Sequence, residues 1–329
     1  MKIKKGMRVL SLLLVMVLVG AIFVPAVSAY ENPHQSYTKD DSRHYGGIDA
    51  YTAATVGYFG SEYIPGRDVW EFNYRMTGVG ETRDYYYSNG DPAPACRVQY
   101  LEIKETYNKA HMAMWTSTDS KYIGAWPRTS GSSAYYYNVA YKISLLAISA
   151  LSPYSSFAIS AADLVNTMLG GYDSGSNGET ISRTWEYTPD ETDVGHFFWW
   201  LVDVDPGKTV RFTIEDDLFG PSYEMVGVGW TFEISTPSKS PDKMTETERE
   251  KYGIEIIPIS NLKERSDELN VAPETLDELI RYGEPVYYAH KIPVKAVPRK
   301  PDKETAISKI LGITGYSKDL LFNDTNPWL

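Results

Sequence analysis

Apolar and polar side chains alternate along several short stretches of the chain, as they do in β-strands that bury one face. In residues 68–76, for example, Trp70, Phe72 and Tyr74 stand at every second position. The stretches that show this alternation are 48–58, 68–76, 95–104, 109–116, 134–142, 181–187 and 226–234. Turn-forming glycine, proline, serine and asparagine residues separate several of them. The pattern predicts a mainly β protein folded as an antiparallel β-sandwich.

Residues 195–217 predict a β-hairpin with a tight turn at Pro206 and Gly207. Proline fixes φ at the second position of a type II turn, and glycine accepts positive φ at the third. If Asp205 pairs with Lys208, the two strands of the hairpin lie side by side in one sheet. This pairing sets the register of every residue further from the turn.

That register predicts which side chains of the hairpin face the core. Trp199 and Leu201 lie opposite Ile214 and Phe212, and the four side chains form one buried face. The other face of the first strand carries three more large apolar side chains, Phe198, Trp200 and Val202. Burying each such side chain contributes about 1.5–3 kcal/mol, so this second face is expected to be covered.

Residues 143–169 differ from the strands, because their apolar side chains recur at helical spacing. Pro153 divides the segment into two predicted helices, 143–152 and 156–169, and Gly170 ends the second one. We expect this inserted helical pair to pack on one sheet and to cover the second apolar face of the hairpin strand.

The composition of the chain changes at residues 235–243, which are rich in serine, proline and lysine. We place a domain boundary at about residue 236. The predicted organisation is a β-rich domain over 30–235, with its helical insert, and a small C-terminal α-helical appendage over 236–329.

Three short helices are predicted in the appendage. Thr245 and Glu248 form a capping box at the start of the first helix, and Pro273 lies in the first turn of the second. Asp302 precedes the third. Residues 287–301 are basic and contain regularly spaced prolines, which predicts an extended segment. Helices with so few apolar positions are not expected to fold alone, so we expect the appendage to pack on the β-rich domain.

Residues 1–29 have the layout of a secretory signal peptide. Four basic residues precede a long apolar run that begins at Val9, and small residues stand before Tyr30 at a predicted cleavage point. We therefore expect a secreted, extracellular or cell-surface protein. The alternative is an uncleaved N-terminal anchor, although the apolar run is shorter than the ~20 residues that a membrane-spanning helix needs.

Composition narrows the classes of partner. The formal net charge is −11, which argues against nucleic acid and anionic lipid headgroups and would suit cations or a basic partner. Cys96 is the only cysteine, so the chain forms no internal disulfide and must be held together by packing. The scarcity of cysteine and glutamine is typical of proteins from hot environments.

The hairpin register also brings carboxylates together at the end remote from the turn. These six residues are Asp190, Glu191, Asp193, Glu215, Asp216 and Asp217. Calcium takes six to eight oxygen ligands, so the group is a candidate calcium site and calcium the one candidate cofactor. The alternative is a solvated acidic end of the hairpin.

Tyrosines occur in runs that predict a binding surface. The residues concerned are Tyr85, Tyr86, Tyr87, Tyr135, Tyr136 and Tyr137. Alternation along a strand places some of these rings on each face, and exposed rings provide contact area for sugars or proteins. The alternative is that tyrosine serves here only as a strand former.

No motif in the chain indicates a catalytic centre, since the five histidines are scattered and no serine lies in a nucleophile elbow. The sequence therefore favours a secreted, non-enzymatic surface or binding protein whose ligand is a glycan or a protein. One alternative is a membrane-active, pore-forming or toxin-like protein that uses segment 143–169, in which Asp163 is the only charged residue. Another is a secreted hydrolase whose carboxylates converge only in the fold.

Overall fold

The computed structural model describes residues 33–45, 48–83, 95–116, 123–126, 180–191, 193–220, 225–269, 271–283 and 285–301. Within them the chain forms antiparallel strands in two sheets, together with three α-helices. The predicted β-sandwich is therefore confirmed.

The strands of the described residues range from 4 to 17 residues in length. They are β1 (Gln35–Tyr45), β2 (Ile48–Ile64), β3 (Val69–Arg83), β4 (Cys96–Tyr107), β5 (Met112–Trp115), β6 (Ile123–Trp126), β7 (Thr180–Glu191), β8 (Asp193–Val204), β9 (Thr209–Phe219), β10 (Met225–Ser235), β11 (Ile254–Ile257), β12 (Val286–Ala289) and β13 (Val294–Arg299). The helices are α1 (Glu246–Tyr252), α2 (Ile259–Leu269) and α3 (Pro273–Tyr282).

The two sheets differ in size. Sheet 1 has eight strands in the order β11-β12-β2-β3-β8-β5, with β1 also pairing with β2 and β6 also pairing with β8. Sheet 2 has five strands in the order β13-β10-β9-β4-β7. All of the pairings are antiparallel.

Aromatic side chains from both sheets fill the space between them. Tyr74 of β3 stacks on Trp200 of β8, with ring centroids 5.4 Å apart, and meets the edge of Phe212 of β9 at 5.6 Å. Phe212 in turn stacks on Phe232 of β10 at 5.2 Å. These rings are fully buried. A chain without a disulfide thus obtains its stability from a large aromatic core.

The predicted hairpin at residues 195–217 is wrong, because its two strands belong to different sheets. β8 pairs with β3, β5 and β6 in sheet 1, whereas β9 pairs with β4 and β10 in sheet 2. The tight turn itself is present, with the Lys208 amide donating to the Asp205 carbonyl at 3.4 Å and Gly207 at φ 73°. The turn carries the chain from one sheet to the other.

This crossing reverses the predicted faces of β8. Phe198, Trp200 and Val202 belong to the core between the sheets and need no helical cover. Trp199 lies on the opposite face of sheet 1, where the Arg75 guanidinium stands 3.8 Å from its ring centroid. The predicted helices at 143–152 and 156–169 lie outside the described residues.

The C-terminal segment after residue 236 contributes strands to both sheets. β12 pairs with β2 in sheet 1, and β13 pairs with β10 in sheet 2. The extended structure predicted for 287–301 is therefore confirmed. The predicted third helix, after Asp302, lies outside the described residues.

Two of the predicted helices are confirmed, with their ends. α1 has the capping box of Thr245 and Glu248 and ends at Gly253, whereas α3 begins at Pro273 and ends at Gly283. Helix α2 was not predicted. Leu262 of α2 and Leu279 of α3 pack against the outer face of sheet 1.

Candidate functional site

A pocket of about 500 Å³ opens where the β2–β3 turn meets the C-terminal segment. Its walls come from the end of β2, the turn that follows, the segment before α1, and the region between α3 and β12. The lining residues are Tyr63, Pro65, Asp68, Ser240, Asp242, Lys243, Tyr282, Gly283, Pro285 and Tyr287. The pocket thus combines three tyrosine rings with two carboxylates.

The β2–β3 turn presents Asp68 to this pocket in an unusual backbone conformation. The Arg67 amide donates to the Ile64 carbonyl at 3.2 Å, which closes the turn. Asp68 then has φ 52°, in the left-handed region that glycine adopts most easily. A non-glycine residue held in this region is a reason to look for a function of its side chain.

The Tyr63 hydroxyl is fixed between two walls of the pocket. It donates to Asp68 Oδ1 at 2.5 Å. Burial raises the pKa of Tyr63, and the adjacent Asp68 carboxylate raises it further, whereas a hydrogen bond with Ser240 opposes them. The tyrosine therefore stays protonated and holds Asp68 in place.

Helix α3 supplies the exposed aromatic wall. Tyr282, in its last turn, remains 53% exposed. A Cβ on Gly66 would stand 2.1 Å from the Tyr282 ring, so a side chain at that position would displace the ring from its place against the turn. Tyr282 is thus pressed against the β2–β3 turn while it leaves one side open to solvent.

Beside the pocket, Arg67 is surrounded by carboxylates from three elements. It pairs with Glu71 Oε2 at 2.7 Å, with Glu278 Oε2 at 3.1 Å, and with Asp203. Thr275 of α3 donates to the other oxygen of Glu71. We call this group, Arg67, Glu71, Asp203, Thr275 and Glu278, the Arg67 cluster.

The Arg67 cluster holds a proton at neutral pH. Burial, and after it the negative charge of Asp203, raise the pKa of Glu71 to about 8, although Arg67 opposes both. Burial also raises the pKa of Asp203, and the positive charge of Arg67 opposes this rise. Two adjacent buried carboxylates share one proton more easily than they share two negative charges.

Of the six carboxylates predicted as a calcium site, the three with described side chains, Glu215, Asp216 and Asp217, do not share one face of sheet 2. Asp216 lies on the inner face of sheet 2, whereas Glu215 lies on the outer face and pairs with Arg299 at 2.9 Å. Asp217 shares the outer face with Glu215 by strand alternation.

The side chains of Asp190, Glu191 and Asp193 lie outside the described part of the structure. Among the side chains that are described, no group of three or more histidine, cysteine, aspartate or glutamate residues could hold a metal ion. The predicted calcium site, which includes Asp190, Glu191 and Asp193, stays a prediction.

Asp216 instead faces His196 across the core. His196 Nε2 and Asp216 Oδ1 are 3.5 Å apart, and both side chains are fully buried. Trp185 of β7 stacks on the histidine ring at 4.4 Å. A Cβ on Gly78 of β3 would stand 2.2 Å from both side chains, so that glycine makes the room for the pair.

The tyrosines predicted as a ligand surface, Tyr85–Tyr87 and Tyr135–Tyr137, lie outside the described residues. Sequence reasoning missed the tyrosines of the pocket because they come from β2, the end of α3 and the start of β12. The usable local signal was the Pro65-Gly66-Arg67-Asp68 turn, whose aspartate occupies a position that favours glycine.

Comparison with known proteins gives no family for this chain. No protein-family profile matches it, and neither does any curated protein sequence. The following two are among the solved structures that resemble it weakly. One, described as a pore forming protein, has a TM-score of 0.20 and 9% identity and covers 62% of this chain and 83% of its own. The other, the Clostridium perfringens NetB toxin in its membrane-inserted form, has a TM-score of 0.19 and 8% identity and covers 61% and 96%.

None of the helices in the described residues is long and apolar enough to cross a membrane.

Proposed function

We propose that the protein is a secreted, non-enzymatic binding protein that takes a sugar unit of a glycan in the pocket at the β2–β3 turn. The observation that carries this proposal is the grouping of Tyr63, Tyr282 and Tyr287 with Asp68 and Asp242 around about 500 Å³. Ligand pockets commonly have this size and combine apolar walls with a few polar groups.

The chemistry of the lining suits a sugar. Tyrosine rings offer flat apolar faces on which the C–H face of a pyranose can stack, and each ring also has a polar tip. Carboxylates accept strong, charge-assisted hydrogen bonds from hydroxyl groups. The two aspartates come from different segments of the chain, the β2–β3 turn and the segment before α1, so both segments would contact a bound sugar.

The conformation of Asp68 supports a role for its carboxylate. Glycine would occupy φ 52° without strain, yet the chain has an aspartate there. The side chain also lies in the pocket lining and accepts from Tyr63. Aspartate is one of the few residues besides glycine that adopt this conformation, and here the conformation places its carboxylate at a concave surface.

The proposal is tested by glycan-array binding of the mature chain and of three variants. Tyr282→Ala removes the exposed ring, and Asp68→Gly removes the carboxylate while relieving the backbone. Tyr107→Ala is the matched control, because Tyr107 is a 50% exposed tyrosine outside the pocket.

We expect the first two variants to lose at least tenfold in affinity for the glycans that the unaltered protein binds. Asp68→Gly should stay folded, because glycine suits that position. Glycan binding that survives both pocket substitutions, or that disappears in Tyr107→Ala, would contradict the assignment of this pocket.

A second candidate function is membrane activity through the insert that contains residues 143–169. It is favoured by the strands on either side of the insert. Within the described residues β6 pairs only with β8, at an edge of sheet 1, and β7 pairs only with β4, at an edge of sheet 2. Trp185 of β7 packs over His196 of β8, so the two edges lie on the same side of the sandwich.

The chain thus leaves one sheet and returns to the other at one open side. An insert attached in this way could leave the sandwich without breaking a central strand pairing. Release of a dye from liposomes tests the candidate, and its absence across pH 4–8 would eliminate membrane activity.

A further inference from the structure

The two walls of the pocket are joined behind it by one guanidinium. Arg67 precedes Asp68 in the β2–β3 turn, and it does not line the pocket. Glu278, which pairs with Arg67 Nε at 3.1 Å, stands one helical turn before Tyr282 on α3. The ion pair therefore links the residue next to Asp68 to the helix that carries Tyr282.

We propose that Arg67 is the positioning residue of the pocket, holding α3 against the β2–β3 turn so that Tyr282 and Asp68 face the same ligand. This inference rests on the sugar-binding function proposed for that pocket. In this role Arg67 contacts no ligand itself but sets the distance between Asp68 and Tyr282, which do.

The geometry requires arginine. Each of the three guanidinium nitrogens contacts a different carboxylate, with Nη2 on Glu71 of β3, Nη1 on Asp203 of β8, and Nε on Glu278 of α3. Lysine offers a single charged nitrogen and cannot form this fork. Trp115 of β5 closes the cluster, with its ring centroid 5.8 Å from the guanidinium carbon.

The helix has a second attachment to the same cluster. Thr275, one turn before Glu278, is fully buried and donates to Glu71, which is fully buried as well. Glu71 therefore contacts both Arg67 and α3. A change in its charge acts on the turn and on the helix together.

The charged groups around Glu71 make the attachment sensitive to pH. Arg67 and Asp203 face Glu71 within the cluster, and Glu62 lies beside it on β2, with Arg75 acting on Glu62 in turn. With the pKa of Glu71 at about 8, ionisation above that pH places a negative charge in a buried site beside Asp203. Because burial is the main cause of the raised pKa, ionisation favours states in which α3 opens and lets water reach Glu71.

Hydrogen exchange of the α3 amides tests the inference without a ligand. The variants are Arg67→Gln and Glu278→Gln, and the control is Asp277→Asn, which removes one negative charge from an exposed position of the same helix. We expect the protection factors of residues 273–282 to fall about tenfold in the first two variants and to stay unchanged in the control. Equal protection in Glu278→Gln and Asp277→Asn would overturn the proposal. Glu278→Gln is the milder change and decides the question if Arg67→Gln does not fold.

A pH profile separates positioning from general stability. Protection of α3 in the unaltered protein should fall above about pH 8, after correction for base-catalysed exchange, whereas Glu71→Gln should show no such fall. A fall that persists in Glu71→Gln would contradict the role given to this carboxylate.

Glycan binding by the same variants distinguishes the two proposals. If Glu278→Gln loosens α3 but glycan affinity does not change, the sugar site fails while the attachment of α3 by Arg67 stands. If glycan affinity falls without any change in exchange, the positioning role fails and the sugar site stands.

Discussion

His196 and Asp216 are buried where neither has another charged partner among the described residues. Burial lowers the pKa of His196 to about 3 and raises the pKa of Asp216 well above its usual value. Both shifts favour the neutral forms. In the folded protein the Asp216 carboxyl group therefore keeps its proton to a higher pH than it does in the unfolded chain, whereas His196 loses its proton at a lower pH.

The two shifts predict how stability depends on pH. The raised pKa of Asp216 gives a contribution that is complete below pH 3.8 and is lost as pH rises toward the folded pKa. The lowered pKa of His196 gives a contribution that is complete above pH 6.5 and is lost as pH falls toward 3. The two slopes cancel between pH 3.8 and 6.5. Above pH 6.5 the pair alone should lower the free energy of unfolding by up to about 1.4 kcal/mol per pH unit.

Asp216→Asn should separate these two contributions. It leaves the histidine slope alone, so stability should rise from pH 3 to 6.5 and then stay level. Relative to the unaltered protein, the variant should be about equally stable near pH 4 and clearly more stable at pH 8. Urea unfolding between pH 3 and 9 measures both effects. Asp40→Asn, at an exposed position of β1, is the control. Parallel pH profiles for Asp216→Asn and the unaltered protein would contradict the raised pKa of Asp216.

At the scale of elements, alternation predicted most strands and their inner faces. Trp70, Phe72 and Tyr74 of β3 face the core as expected, and so do Trp230 and Phe232 of β10. The helix caps could also be predicted from the sequence, because a capping box or a terminal glycine depends only on residues close in the chain.

The pairing of β8 could not be derived in the same way. Its residues are apolar on both faces, so alternation does not say which face meets sheet 2. A tight turn usually joins neighbouring strands, yet here it joins the sheets. The pocket could not be predicted from the sequence either, because Tyr63 and Tyr282 are more than two hundred residues apart in the chain.

The turn that carries the chain from sheet 1 to sheet 2 should be sensitive to substitution of Gly207. Gly207 has φ 73°, its amide donates to the Pro237 carbonyl at 2.6 Å, and a Cβ would lie 3.1 Å from Ser238 Cα. Gly207→Ala should destabilise the protein by about 1–2 kcal/mol from the left-handed backbone alone, with the close backbone contact adding to it. Urea unfolding measures the loss. Lys208→Ala, in the same turn, should lower the free energy of unfolding by less. If Gly207→Ala costs no more than Lys208→Ala, the turn tolerates a side chain at Gly207.

For the whole molecule, the outward face of sheet 1 is as deeply buried as its inner face. Ala53, Val79 and Phe197 lie on that face and are almost fully buried. Helices α2 and α3 pack against a different part of the face, near Ile64 and Val69. This face is not the one with Phe198, Trp200 and Val202, which segment 143–169 was predicted to cover and which lies in the core between the sheets. We therefore expect that segment to cover the outward face instead.

Replacing residues 143–169 by a short Gly/Ser linker tests that prediction on the intact fold. The replaced residues lie between the edge strands β6 and β7, so the central pairings of both sheets should survive. We expect the far-UV circular dichroism of a β protein to be retained and the binding of a hydrophobic dye to increase, because Val79 and Phe197 become accessible to solvent. If dye binding is unchanged, another part of the chain covers this face. If the strand signal is lost, the segment belongs to the folding core and cannot leave the sandwich, which would also remove the basis for membrane activity.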